Sequence, residues 1–134
     1  MLGQTVTLGP HNLRADSVLQ FAYPNTTPTP FSWHVQRGDT VKPMQTRPGQ
    51  EKKSAPWVPY LGTDLDGMTR AGPGWVLPGK QGSQALNILQ RFTSPAAMTV
   101  AAPLDITPAE DGSAGVTVVM RLNQTPLLSR TVDG

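Results

Sequence analysis

Val116-Thr117-Val118-Val119-Met120-Arg121-Leu122 sets a large apolar residue at every second position: 116, 118, 120 and 122. This is the period of an extended chain with one buried face, because successive side chains on a strand point to opposite sides. Asn123-Gln124-Thr125-Pro126 follows as a turn, and residues 127–132 can return as a final strand. Upstream, Asp111-Gly112 is a further turn signal.

The same period recurs in Phe31-Ser32-Trp33-His34-Val35, which sends Phe31, Trp33 and Val35 to one side and Ser32 and His34 to the other. Gln4-Thr5-Val6-Thr7-Leu8 reads as a strand stopped by Gly9-Pro10. Residues 17–23 are expected to form a second strand, and residues 97–101 a short one. Between them, Pro24, Pro28 and Pro30 space an extended connector, since each proline removes a backbone donor and biases the residue before it away from the helix.

One helix is predicted, over residues 83–92. Ser83 suits the N-cap, Ala85, Leu89 and Phe92 form an apolar stripe with Leu86 and Ile88 beside them, Arg91 suits the C-terminal dipole, and Pro95 forbids continuation. The expected fold is therefore mainly β: an antiparallel sheet or sandwich with one short helix and long extended loops or an arm.

The chain has 134 residues, enough for one domain, taken here as residues 1–134. Gly (13) and Pro (14) make up roughly a fifth of it, against about 12% in average proteins. Charged residues are 15%, against about 25%, and the net charge is +2, so charge-driven disorder is not expected. From 38 to 82 the periodicity dissolves among six prolines and many glycines, yet the stretch carries Trp57, Val58, Tyr60, Leu61, Trp75, Val76 and Leu77. Wholly disordered linkers rarely hold that many large apolar groups. An extended loop or arm packing on its own subunit or on a neighbour is expected, with Trp57, Tyr60 and Trp75 as candidate interface residues.

Cysteine is absent, which excludes a disulfide framework, a thiolate metal site and a cysteine nucleophile. No apolar run is long enough for a membrane helix, and the N-terminal residues do not read as a secretory signal. Gly74-Trp75-Val76-Leu77-Pro78-Gly79-Lys80 matches the spacing of a phosphate loop. However, Gln81 stands where the magnesium-binding hydroxyl belongs, and Arg70-Ala71-Gly72-Pro73 before it reads as a turn. Asp64-Leu65-Asp66-Gly67 resembles the start of a calcium loop, but Met68 and Trp75 occupy later ligand positions. His11 and His34 lack a second histidine at helical spacing. No catalytic residues, metal or cofactor are expected, nor a small-molecule substrate.

Arg37, Lys42, Arg47, Lys52 and Lys53 fall within 17 residues, opposed by Asp39 and Glu51, a net of +3. Trp33 and Trp57 flank them. Cations near aromatics can contact phosphates and stack bases, so these five are the candidate nucleic-acid contacts. The alternative is a solvated loop whose charges keep the subunit soluble.

Long proline-spaced segments carrying aromatics, with little catalytic chemistry, resemble small coat or decoration subunits of bacteriophages, including coat proteins of single-stranded RNA phages. The resemblance is one of composition across the chain and rests on no motif. It implies a self-assembling capsid or capsid-decoration subunit located in the virion and assembled in host cytoplasm. Its partners would be further copies or other capsid subunits, with nucleic acid as a candidate and no membrane. The alternative is a monomeric β-sandwich module that binds polysaccharide or peptide through Trp33, Trp57 and Trp75.

Overall fold

A computed structural model describes residues 2–8, 13–21, 29–47, 59–108 and 114–133. Among these residues the secondary structure is strand and turn, without a helix. In chain order the strands are β1 (Leu2–Leu8), β2 (Leu13–Asp16), β3 (Phe31–Arg37), β4 (Thr40–Pro43), β5 (Gln45–Arg47), β6 (Tyr60–Thr63) and β7 (Asp66–Gly72). They continue as β8 (Trp75–Leu77), β9 (Gly79–Gln81), β10 (Gln84–Phe92), β11 (Val100–Ala101), β12 (Leu104–Ile106), β13 (Val116–Leu122) and β14 (Thr125–Val132).

All pairings are antiparallel. One sheet has the order β4-β3-β10-β9, and a second has the order β5-β6-β7-β8. A third is built around β1, which pairs with β2, β11 and β12. Thr7 faces Ala101 and Gln4 faces Leu104, equal steps on both strands. β11 and β12 are therefore one strand in register, broken at Ala102-Pro103, where proline offers no N–H. β13 and β14 form a separate two-stranded ribbon.

The alternation read in β3 is realised as burial. Phe31, Trp33 and Val35 are buried, while Ser32 and His34 are only partly so. Leu61 and Ala71 from the second sheet, with Leu86, Met44 and Ala15, complete one apolar cluster. Aromatic rings tilt against each other within it, Phe21 on Trp33 at 4.6 Å and Phe31 on Phe92 at 5.4 Å between centroids, a separation typical of favourable ring pairs.

The predicted helix over residues 83–92 is a strand instead. β10 pairs with β3 from Asn87 opposite Gln36 to Phe92 opposite Phe31. Leu86, Ile88 and Phe92 then share a face at period two, directed at the β3 aromatics, and Leu86 is fully buried. Ser83 lies beside Gly82 (φ 61°) in the turn from β9 rather than capping a helix. Long-range pairing with a buried strand overrides local helix propensity here.

The second strand expected over residues 17–23 also differs. β2 ends at Asp16, whose Oδ1 accepts from Val18 N (2.8 Å) and Leu19 N (3.1 Å), and residues 17–20 form a turn. An aspartate that satisfies the next backbone donors diverts the chain from the ladder. Residues 22 and 23 lie outside the described residues. The described part of residues 38–82 consists of β4 to β9 and their turns; residues 48–58 lie outside the described residues.

Candidate functional site

Directly paired residues of an antiparallel sheet share a face. In the β5–β8 sheet, Arg47 is opposite Tyr60, Gly62 opposite Arg70, Arg70 opposite Leu77 and Gly72 opposite Trp75. These residues, with Met68, lie on one side. Leu61, Thr69 and Ala71 lie on the other and are buried. The first side is thus the outer face, carrying two arginines, two aromatics and two thioether or aliphatic groups.

Glycine shapes this face. A Cβ on Gly72 would sit 2.3 Å from Trp75 Cε2, so the indole lies flat across the backbone there. At Gly62 a Cβ would come within 3.0 Å of Arg47 Cγ and 3.1 Å of Tyr60 Cε2. The Arg70 guanidinium carbon stands 4.7 Å from the Tyr60 ring centroid, a cation–π contact, and its Nε donates to Gly67 O at 2.7 Å. Trp75 is 38% exposed, Leu77 43% and Met68 60%. A recess of about 300 Å³ bounded by Arg47, Tyr60, Asp66 and Thr69 adjoins the same face.

The carboxylates nearby are engaged. Arg47 Nη2 pairs with Asp64 Oδ1. That hydrogen bond, then the Arg47 charge, holds the Asp64 carboxyl below its ordinary range against the opposing effect of desolvation; Gln45 and the Lys42 charge add lesser lowering. Asp66 is lowered first by the Thr69 hydroxyl, which donates to Oδ2 at 2.8 Å, and then by the Met68 backbone N–H.

Of the candidate nucleic-acid contacts, Arg47 of β5 pairs with Asp64, and the charge of Lys42 on β4 acts on the same carboxyl more weakly. Arg37 is placed apart from them, its Nη1 donating to Gln81 Oε1 on β9. Lys52 and Lys53 lie outside the described residues, as does Trp57 of the interface set. Tyr60 and Trp75, the other two interface candidates, share the outer face with Arg47. Arg70 was missed. The signal that could have revealed it is the period-two pattern of small residues Thr69 and Ala71, which turns Arg70 outward with Met68. Trp33, the flanking aromatic, is in the core.

The phosphate-loop spacing has a structural origin. Gly74 lies in the β7–β8 turn and Gly79 opens β9, and no helix follows. A Cβ at Gly79 would meet Thr69 Oγ1 at 2.2 Å, so this glycine allows β9 to pass close over β7. Among the described residues no cluster of three or more His, Asp or Glu side chains could hold a metal. Among the same residues no helix is long and apolar enough to cross a membrane.

A second surface is the β13–β14 ribbon. It is closed by Asn123-Gln124, with Asn123 at φ 55°, a conformation asparagine tolerates. Thr125 and Pro126, expected in the turn, already belong to β14; Pro126 pairs with Arg121 next to a bulge, where a missing donor is tolerated. Leu122 is 62% and Leu127 60% exposed, and Val116, Val119 and Leu128 are also exposed. Thr117, Val119 and Arg121 look across a groove of about 660 Å³ toward Lys80, Asn87 and Leu89. No protein-family model matches the chain, and no curated protein or solved structure is significantly similar to it.

Proposed function

We propose that the chain is a structural subunit of a virion, a self-associating capsid or capsid-decoration protein that uses β13–β14 as its exchange element. The observation that carries this reading is the apolar load on a ribbon that, among the described residues, joins none of the three sheets. Isolated two-stranded hairpins are marginal in water, and clustered exposed apolar groups mark interaction surfaces. Eight residues of strand extend about 27 Å, and two strands are about 10 Å wide. One ribbon face laid on a neighbour would bury only about 500 Å² in total, below the roughly 1,000 Å² of a stable interface. Reciprocal exchange, with both faces covered in both copies, would bury about 2,000 Å², which favours mutual arm exchange. Among the described residues both strands also have an outer edge without a pairing partner. The absence of helix among the described residues favours a decoration subunit or another all-β shell over the RNA-phage type, whose chains end in helices.

Light scattering and electron microscopy of the purified protein test this reading. Defined oligomers or particles that grow with concentration, or saturable binding to a preformed shell, are expected; a monomer at high concentration that binds no shell would overturn it. The exposed Trp75 favours a second reading, a monomeric polysaccharide- or peptide-binding module. Arg47 and Arg70 on the same face weigh against a neutral sugar.

A further inference from the structure

We propose that the outer face of the β5–β8 sheet is a platform for single-stranded nucleic acid, with Trp75 and the Arg70–Tyr60 stack as base-stacking planes and Arg47 and Arg70 as phosphate contacts. This face lies within one subunit and is independent of assembly.

Two flat groups are presented outward on neighbouring rows of one sheet. The Trp75 indole lies across Gly72 and is 38% exposed. The half-exposed Arg70 guanidinium stands over the Tyr60 ring, 4.7 Å from its centroid. Bases stack on indoles and on guanidinium planes alike, and such stacking is sequence-tolerant because every base has a π-face. In a duplex those faces are occupied by neighbouring bases, so this geometry selects unpaired strands.

Charge decides between a nucleic acid and a neutral ring ligand. Arg47, Arg70 and the adjoining Lys42 supply three cations. Two carboxylates stand beside them, Asp64 paired with Arg47 and Asp66 accepting from the Thr69 hydroxyl, so the local balance is one positive charge. With Arg47 shared with Asp64, the net field is small, so one or two phosphates are neutralised and stacking provides the rest. For single strands that gives a slope of log affinity on log salt of about −0.7 to −1.4. Binding should therefore weaken only about three- to sevenfold between about 50 and 200 mM salt.

The test is fluorescence anisotropy of an end-labelled oligothymidine of about a dozen nucleotides, titrated with the full chain. Wild type should bind this strand at least about tenfold tighter than a duplex of the same length. Trp75→Ala and Arg70→Ala should each weaken binding about tenfold, and Trp75→Phe should recover most of it. Arg91→Ala, which removes an exposed cation from the other sheet, should leave binding unchanged, with circular dichroism confirming that all variants fold. Equal affinity for duplex, equal losses from Arg91→Ala and Arg70→Ala, or no binding at low salt would each overturn the proposal. So would a neutral oligosaccharide that perturbs the Trp75 indole while the oligonucleotide does not; that outcome would assign the face to sugar. Because one subunit holds the whole platform, none of these results bears on whether copies associate.

Discussion

His34 stands on β3 opposite the core-facing side chains, flanked in register by Pro43 of β4 and Leu89 of β10. Its Nδ1 is buried and has no hydrogen-bond partner among the described residues. Burial, and secondarily the charge of Arg91, lowers its pKa from the ordinary 6.5. The unfolded chain then binds the proton more readily than the folded one, so stability increases with pH across that interval. The contribution is intact above about 6.5 and is lost as pH falls through that value toward the lower folded pKa. Thermal melts from pH 7.5 to 5.5 should show a declining midpoint, and His34→Leu should flatten the decline. Asp64 and Asp66 are lowered too, below 3.8, so their contribution has the same sign but is lost only in more acidic solution, outside the His34 window. Gly72 offers a second single-residue test. Alanine there must displace the indole of Trp75, at an expected cost of about 1–3 kcal/mol. In a Trp75→Ala background the clash is gone, and the same change should be neutral or mildly stabilising, a difference that a urea double-mutant cycle resolves.

At the level of elements, β10 separates two readings that its sequence leaves close. A helix stripe over residues 83–92 treats Leu86 and Leu89 as near-equivalent core positions. A strand sends Leu86 inward and Leu89 to the outer face, and Leu86 is the fully buried one. Leu86→Ala should therefore cost about 2–4 kcal/mol in denaturant unfolding, and Leu89→Ala about 1 kcal/mol. The ambiguity was physical. Apolar groups at 85, 86, 88, 89 and 92 fit either period, and the deciding partner, β3, lies some fifty residues earlier. Where the period was unmixed, as in β3, local alternation was enough to read both the strand and its buried side; in β13 it located the strand, but the expected buried face is exposed or only half-buried. Residues 17–20 misled because the side chain of Asp16, not the apolar pattern, controls the backbone there. In residues 38–82 the strands are three to seven residues long, too short for periodicity to register among turns rich in proline and glycine. The outer-face platform was legible only in fragments: Arg47, Tyr60 and Trp75 were each noticed, but the register that aligns them with Arg70 belongs to the folded sheet.

For the molecule as a whole, the distribution of apolar surface distinguishes folding from association. The core cluster joins β3, β6, β7 and β10, while the exposed leucines concentrate on β13–β14. A lone subunit gains little from Leu122 and Leu128, so replacing both by lysine should change its melting temperature by no more than about 2–4 °C. In an assembly that covers the ribbon, each leucine removed from water contributes about 1.5–3 kcal/mol. Losing both should weaken association by a factor of a hundred or more, before any penalty for burying the lysines is counted. The two measurements, a melt of the dilute protein and sedimentation across a concentration series, therefore move independently if the ribbon serves association. Salt gives the contrast with the charged platform. Sulfate strengthens apolar burial and should promote oligomers, whereas contacts to phosphate weaken as ionic strength rises. A ribbon that merely packs on its own subunit would show the opposite signature, a large drop in melting temperature with no concentration-dependent species to lose.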